Sequence, residues 1–236
     1  MKIGLPKELR LRQKTLEVLG RINEIQELSR NTWVDCFTIR TGDMYTDCIT
    51  GFLDVAITST EVLVESAIQY GKQRLAQGSN REKLMAVAFP MKPWSVCSYT
   101  WKDRYFDSSF HSISVGVSIA SEFPCLTRQR YFFPEIYAYN GCVEARVMQT
   151  SLEKPRSGQH AYGVGIVDSG KTLEKYNLKV IDRIMKVRPM WLFGAELLDK
   201  KATRKTLEGL MLLSGSSLSE AIEIDRYNPA LGQFFL

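Results

Sequence analysis

The chain is predicted to fold as an α/β protein, and three observations lead to that prediction. Over the first 70 residues, short apolar segments alternate with amphipathic ones in a β-α-β-α-β order. That order implies a largely parallel sheet with helices on both faces. A second strand–turn–helix pattern occurs at residues 163–173. Between them, Pro90 and Pro93 restrict the backbone, which is typical of a crossing between domains.

In the first part of the chain, the predicted elements follow from the spacing of apolar residues. Residues 1–6 are apolar and end at a proline, which predicts a short strand. The next segment, 7–28, repeats apolar residues at helical spacing. Further strands are predicted at 37–40, 54–58 and 84–89, and helices at 43–51 and 61–70.

The rest of the chain predicts more strands and shorter helices. Residues 112–120 alternate apolar and polar side chains, as a half-buried strand does. A helix is predicted at 126–133, an extended segment at 136–148, strands at 163–167, 180–187 and 190–193, and an amphipathic helix at 199–213. Residues 94–104 are rich in aromatic side chains and predict no definite element. The apolar C-terminus is expected to pack on its own domain or on a neighbouring subunit.

Composition limits the class of protein. The 236 residues suffice for one large or two small domains, and 44% hydrophobic with 24% charged residues is typical of a soluble globular protein. No apolar run approaches the roughly 18–20 residues that span a bilayer, and the N-terminus turns polar too early for a signal peptide. We therefore expect a cytoplasmic protein without membrane association.

Charge and cysteine content exclude other classes. A net charge of +5 suits an enzyme of polyanionic small molecules and weak nucleic-acid contact equally well. There is no dense block of Lys and Arg that would favour nucleic acid, so none is expected as a partner. The five cysteines are scattered without a Cys-x-x-Cys pair, and only two histidines occur, which predicts buried thiols and no structural zinc.

The segment Asp168-Ser169-Gly170-Lys171-Thr172 is a candidate phosphate site. It follows an apolar β-branched run and precedes a predicted helix, an arrangement that presents backbone N–H groups to an anion. Ser169 and Thr172 add hydroxyl donors, Lys171 adds positive charge, and Gly170 allows close approach to the backbone. An ordinary strand–turn–helix corner is the alternative interpretation of this motif alone.

Five segments in chain order carry a family resemblance. They are Leu5-Pro6-Lys7 with Arg10-Leu11, Arg40-x-x-Asp43 with Gly51-x-x-Asp54, Ile119–Pro124 with Tyr131-Phe132, Gly141–Glu144, and Ile166–Leu173. Together they resemble the ATP phosphoribosyltransferase family, the first enzyme of histidine biosynthesis, and the short form of that family in length. The resemblance covers most of the chain.

The resemblance implies a two-lobed, periplasmic-binding-protein-like (type II) α/β fold with a ligand cleft between the lobes. Lobe I would comprise residues 1–90 and 180–236, and lobe II residues 91–179 with the phosphate loop. The implied reaction joins ATP and 5-phosphoribosyl 1-pyrophosphate (PRPP) to give phosphoribosyl-ATP and pyrophosphate. It also implies a homo-oligomer and a histidyl-tRNA-synthetase-like regulatory subunit.

The resemblance also assigns roles to residues. The turn from Asp168 to Thr172 would hold the ribose 5′-phosphate, and Glu144 the ribose hydroxyls. Lys7, Arg10 and Arg40 would serve the pyrophosphate or the acceptor phosphates, with Thr58 also binding substrate. Mg²⁺ would bridge the pyrophosphate oxygens. Asp168 is expected to point out of the pocket, or toward a ribose hydroxyl or Mg²⁺, because a carboxylate beside a phosphate is unfavourable.

Some positions depart from the family pattern. Lys7-Glu8-Leu9-Arg10 carries an added residue and an acid, Thr58-Ser59-Thr60-Glu61 lacks a family glycine, and Gly165 stands where an acid is usual. The phosphate loop thus follows the family pattern more closely than the residues of the acceptor side do. Two alternatives follow: transfer of phosphoribose to a different nitrogen heterocycle, or a non-catalytic ligand-binding or regulatory protein.

Overall fold

The computed structural model describes residues 1–7, 35–73, 83–102, 118–131, 135–138 and 162–224. The chain divides into unit 1, Met1–Lys92 with Arg188–Phe234, and unit 2, which is built from Pro93–Val187. The predicted helix at 7–28 lies outside the described residues, apart from its first residue. So do Arg10, Glu144, most of the extended segments predicted at 112–120 and 136–148, and the apolar C-terminus.

Unit 1 is built around a six-stranded sheet. Its elements are β1 Lys2–Pro6, β2 Asp35–Ile39, α1 Thr41–Thr50, β3 Val55–Ser59, α2 Thr60–Gln73, β4 Leu84–Ala88, β10 Pro189–Gly194, a 3₁₀ turn Ala195–Leu198, α5 Lys201–Ser214, a 3₁₀ turn Leu218–Glu220 and β11 Ile222–Ile224. The strand order is β11-β4-β10-β3-β1-β2. β1 is parallel to β2 and β3, while β10 runs antiparallel to both β3 and β4, and β11 antiparallel to β4. The expected largely parallel sheet is therefore mixed.

The core of unit 1 forms between this sheet and α5. Leu207, Leu210 and Met211 recur at helical spacing on one face of α5 and are fully buried against β1, β3 and β10. Trp191 of β10 lies in the same cluster and donates its indole N–H to Ser214 Oγ at 2.9 Å. Each large apolar side chain buried in this way contributes about 1.5–3 kcal/mol.

Unit 2 is built around a five-stranded sheet. Its elements are β5 Trp94–Trp101, β6 Ser118–Ser121, α3 Pro124–Arg130, β7 Glu135–Ala138, β8 Tyr162–Val167, α4 Lys171–Lys175 and β9 Leu178–Val187. The strand order is β7-β6-β8-β5-β9. β6 is parallel to both β7 and β8, and β5 is antiparallel to both β8 and β9.

Several boundaries differ from the sequence predictions. The expected second lobe ends at residue 179. However, β9 pairs along its length with β5, so this part of unit 2 continues to Val187. Helix α3 ends at Arg130 rather than at 133, because Tyr131 adopts extended dihedral angles of φ −126° and ψ 122°. The aromatic segment left unassigned forms β5, and β11 was not predicted.

Other local features follow the sequence. Helix α1 ends at Gly51, which has φ 80° and donates its backbone N–H to Cys48 O. The thiols of Cys48, Cys97 and Cys125 are buried, whereas that of Cys36 is exposed. Burial is the main cause that raises the pKa of Cys97 to about 11. None of the helices in the described ranges has the length and apolarity to span a membrane.

Candidate functional site

The turn between β8 and α4 is exposed. Asp168, Ser169, Lys171 and Thr172 are exposed, whereas Leu173, the next residue, is buried in an apolar cluster with Tyr99, Ala120 and Leu178. The helix is therefore fixed to the sheet by one apolar anchor while the polar side chains of the turn stay accessible. The predicted strand–turn–helix arrangement is therefore present, and anion binding by the turn stays a prediction.

Gly170 shapes the turn. Its φ of 73° lies in the left-handed region, and a Cβ built on it would meet nothing within 4 Å. Its carbonyl oxygen accepts the Glu174 N–H at 3.0 Å, which begins α4. As the residue before the helix, glycine supplies no side-chain cap for the first-turn N–H groups of α4. Uncapped N–H groups at the start of a helix, beside a glycine with open space around it, suit a phosphate.

A second group of predicted residues meets at one edge of the unit 1 sheet. Lys7 follows β1, Arg40 follows β2, and Thr58 lies near the end of β3. Because these three strands are parallel neighbours, their carboxyl ends share an edge, which is where α/β sheets commonly bind ligands. Lys7 and Arg40 are exposed, and Thr58 is fully buried.

The junction between β3 and α2 is closed by hydrogen bonds. Ser59 Oγ donates to Glu61 Oε1 at 2.8 Å, and the Glu61 side chain is buried. Thr60 N–H donates to the carbonyl of Arg188, and Arg188 N–H donates to Thr60 Oγ1, both at 3.0 Å. Among the described residues, the buried Thr58 Oγ1 has no hydrogen-bond partner. The Thr58 hydroxyl therefore has unused hydrogen-bonding capacity in this part of the described structure.

Sequence reasoning missed two residues that lie against β8. A Cβ built on Gly165 would stand 3.5 Å from both Glu122 Oε2 and Tyr99 Oη, and one built on Gly163 would overlap the Tyr99 ring. Tyr99 is fully buried and Glu122 is half-buried. The signal available in the sequence was Gly163-x-Gly165, since two glycines two apart in a strand leave one face open.

A polar network joins α3 to β9 in unit 2. Arg130 Nε donates to Asp182 Oδ2 at 2.8 Å and Arg130 Nη2 to Oδ1 at 3.3 Å. The Tyr131 hydroxyl donates to Asp182 Oδ2 at 2.9 Å and also lies 2.9 Å from Ser98 Oγ. Partial burial acts to raise the pKa of Asp182, but the hydrogen bonds from Arg130 and Tyr131, with the guanidinium charge, outweigh it and lower that pKa.

The structure thus brings the predicted residues together in two separate groups. Lys7, Arg40 and Thr58 share an edge of unit 1, and the turn from Asp168 to Thr172 belongs to unit 2. In the part of the chain that the structure describes, no three His, Cys, Asp or Glu side chains are placed to hold a metal.

Similar solved structures identify the fold class of the chain. It matches the ATP phosphoribosyltransferase (HisG:HisZ) complex of Thermotoga maritima with a TM-score of 0.66 and 20% identity, covering 91% of this chain and 97% of that one. It matches XAC2383 of Xanthomonas citri, solved with ATP, with a TM-score of 0.58 and 13% identity, covering 100% of this chain and 88% of that one. It also matches the Candida albicans CA3427 gene product, which is described as having the generic periplasmic binding protein fold. The TM-score is 0.50 and the identity 9%, and the match covers 91% of this chain and 69% of that one.

The chain therefore has the mixed α/β, periplasmic-binding-protein-like fold of type II, which confirms the predicted fold class. The family model of HisG, ATP phosphoribosyltransferase, matches residues 40–211. The protein belongs to the ATP phosphoribosyltransferase (HisG) family, as the five segments indicated. No curated protein sequence matches the chain.

Proposed function

We propose that the protein is a phosphoribosyltransferase that uses PRPP, with ATP as the acceptor. The observation that carries this proposal is that the family match over residues 40–211 contains the exposed turn from Asp168 to Thr172. In the reaction, the bond from the anomeric carbon of ribose to the pyrophosphate oxygen breaks. A bond from that carbon to a ring nitrogen of the acceptor forms, and pyrophosphate leaves.

In this proposal, the turn holds the 5′-phosphate of PRPP. The uncapped N–H groups after Gly170 and the hydroxyls of Ser169 and Thr172 donate hydrogen bonds, and Lys171 contributes positive charge. Such contacts fix the sugar without reacting with it. Catalysis of this displacement depends on positioning and on stabilising a cation-like transition state.

Lys7 and Arg40 are proposed to bind the pyrophosphate or the acceptor phosphates. Both are exposed at the carboxyl ends of adjacent parallel strands, where they place two positive charges at one sheet edge. Thr58, whose hydroxyl lacks a partner among the described residues, supplies a donor beside them. Arg10 is proposed to act with them, on the strength of the family resemblance.

Glu144 and Mg²⁺ complete the proposed site. The resemblance assigns Glu144 to the ribose hydroxyls. Mg²⁺ commonly binds through one or two carboxylates together with substrate phosphates, and the exposed Asp168 carboxylate fits that pattern. When bound, the ion would neutralise charge on the departing pyrophosphate.

One observation favours a second candidate, an acceptor other than ATP. The sequence at the end of β3 departs from the family, and the structure shows Glu61 turned inward, buried and bonded to Ser59. The Glu61 carboxylate is thus held by the Ser59 hydroxyl in this structure. The acceptor side of the protein therefore departs from the family pattern more than the phosphate turn does.

A regulatory partner is also proposed. The chain covers nearly all of a chain in a HisG:HisZ complex, and HisZ is the partner named for that protein. We propose that this chain binds a HisZ-like, histidyl-tRNA-synthetase-like subunit and assembles as a homo-oligomer in the cytoplasm.

The test is pyrophosphate release from PRPP and Mg²⁺ over a panel of nucleotides and bases, with and without a HisZ-like subunit. Release with ATP that Glu144→Gln abolishes is the expected result. Release only with another heterocycle would replace ATP by that acceptor. Binding of PRPP without release from any member of the panel would show a non-catalytic protein.

A further inference from the structure

One face of β8 lacks side chains at two alternate positions, Gly163 and Gly165, and side chains from other parts of unit 2 lie beside both positions. The Tyr99 ring covers Gly163, and the Glu122 carboxylate lies where a side chain at position 165 would begin. The Cβ position at Gly165 is 3.5 Å from Glu122 Oε2. β8 leads into the phosphate turn, and the carboxylate beside its open face therefore belongs to Glu122 and not to a residue of β8.

Pairing between strands fixes where Glu122 stands. β6 runs parallel to β8, with Ser121 opposite Val164, and the Glu122 N–H donates to the Val164 carbonyl at 3.1 Å. Glu122 is thus the first residue beyond the carboxyl end of β6, on the strand next to β8. Both strands deliver their ends to the same edge of the sheet, so Glu122 stands on the same side as the turn.

The spacing along β8 relates Glu122 to a ligand in the turn. Gly165 precedes Asp168 by three residues, which is about 10 Å of extended strand. A pentose 5-phosphate with a hydrogen bond at each end fits that span. Since a carboxylate only accepts hydrogen bonds and repels phosphate, its partner at that distance would be a hydroxyl group.

We infer that Glu122 positions the sugar of the bound phosphoribosyl group by accepting hydrogen bonds from its ribose hydroxyls, at the place that Gly165 leaves open. This inference rests on the proposed function. Half-burial strengthens the contact, because a charge-assisted hydrogen bond gains from a lower local dielectric. The inference also accounts for Gly165, which stands where the family usually has an acid. The Glu122 carboxylate takes the place of that missing acid in this part of the site.

A purely structural role for Glu122, as support for Tyr99 or β8, makes a different prediction. Loss of support would weaken every ligand of the turn together. Loss of a hydroxyl contact would weaken sugar phosphates and leave inorganic phosphate unchanged or bound more tightly. The ratio of these two affinities therefore separates the two roles.

The experiment is calorimetric titration of PRPP, ribose 5-phosphate and inorganic phosphate into the wild-type chain and Glu122→Ala. We expect the variant to bind PRPP and ribose 5-phosphate about ten- to hundred-fold more weakly, as for hydrogen bonds to a charged group, with phosphate affinity retained. Adding Gly165→Asp to Glu122→Ala should restore sugar binding. A Cβ at 165 makes only ordinary contacts, and Gly165→Asn in the same background is the uncharged control.

Equal PRPP affinity of the wild-type chain and Glu122→Ala would overturn this inference and leave the proposed function standing. The same holds for a parallel loss of phosphate binding, or for a Glu122→Ala/Gly165→Asp double variant that binds no better than Glu122→Ala. A wild-type chain that binds no PRPP would overturn the proposed function, and this inference with it.

Discussion

The backbone N–H of Lys7 donates to the carbonyl oxygen of Ile39 at 3.0 Å. This bond continues the parallel pairing of β1 with β2 beyond the last paired residues, Pro6 and Ile39. Lys7 and Arg40 consequently leave the sheet from adjacent strands at the same edge. These two exposed cations are the ones that we propose bind a polyphosphate.

Lys7→Ala and Arg40→Ala are each expected to weaken ATP binding about five- to tenfold, since exposed charged contacts contribute only about 1 kcal/mol. Lys2→Ala is the matched control, because Lys2 is also exposed but stands at the opposite end of β1, over the Phe52 ring. Titration calorimetry measures the affinities. Equal losses in all three variants would indicate a general charge effect and contradict the assignment.

Two threonines at the junction of β3 and α2 are expected to respond in opposite ways to replacement by valine. Thr58→Val removes a buried hydroxyl without a partner in the described residues, so the free energy of unfolding should rise by about 1 kcal/mol while transfer slows. Thr60→Val removes the hydroxyl that accepts the Arg188 N–H and should lower the free energy of unfolding by about 1 kcal/mol. Urea denaturation measures both. A Thr58→Val protein less stable than Thr60→Val would refute this account.

Gly170 and Gly209 form a matched pair for backbone conformation. A Cβ meets nothing within 4 Å at either position, but only Gly170 has a positive φ, of 73°. Gly170→Ala should destabilise the protein by about 1 kcal/mol, whereas Gly209→Ala, inside helix α5, should stabilise it by about 0.5–1 kcal/mol. Thermal unfolding should show shifts of opposite sign. Shifts of the same sign would contradict the strained turn.

Asp182→Asn is expected to change the dependence of stability on pH. The pKa of Asp182 in the folded protein is lower than its ordinary value of 3.8, so its contribution is present above that value and is lost as pH falls through the folded pKa. Because the Arg130 pair is partly exposed, the variant should lose only about 1 kcal/mol at neutral pH.

Urea midpoints measured from neutral pH down to about pH 3 test this expectation for Asp182. The wild-type and Asp182→Asn curves should converge as the pH falls. A difference that stays constant over the whole range would show that the carboxylate charge does not contribute.

The sequence predicted those features that depend on local chemistry. Gly51 follows the end of α1, and Gly170 precedes the start of α4. Both positions have a left-handed backbone, which glycine adopts more readily than other residues. Strand direction and membership were not predictable in this way. The alternation of β9 does not say which sheet it joins, and nothing in the sequence of β11 shows that it pairs with β4.

The candidate site was predictable to a similar extent. The turn from Asp168 to Thr172 is contiguous, so its character is visible in the sequence itself. The contact of Glu122 with Gly165 joins residues 43 positions apart through the pairing of β6 with β8, which no local pattern reports. Glu144 and Arg10 remain predictions from the family resemblance.

The central claim is that the turn holds the 5′-phosphate of PRPP, and calorimetric titration of PRPP into the wild-type chain and a Ser169→Ala/Thr172→Val variant tests it most directly. The account predicts binding by the wild-type chain, at least tenfold weaker binding by the variant, and no change for Thr46→Val, an exposed threonine of α1. No binding by the wild-type chain, or equal binding by both, would contradict it.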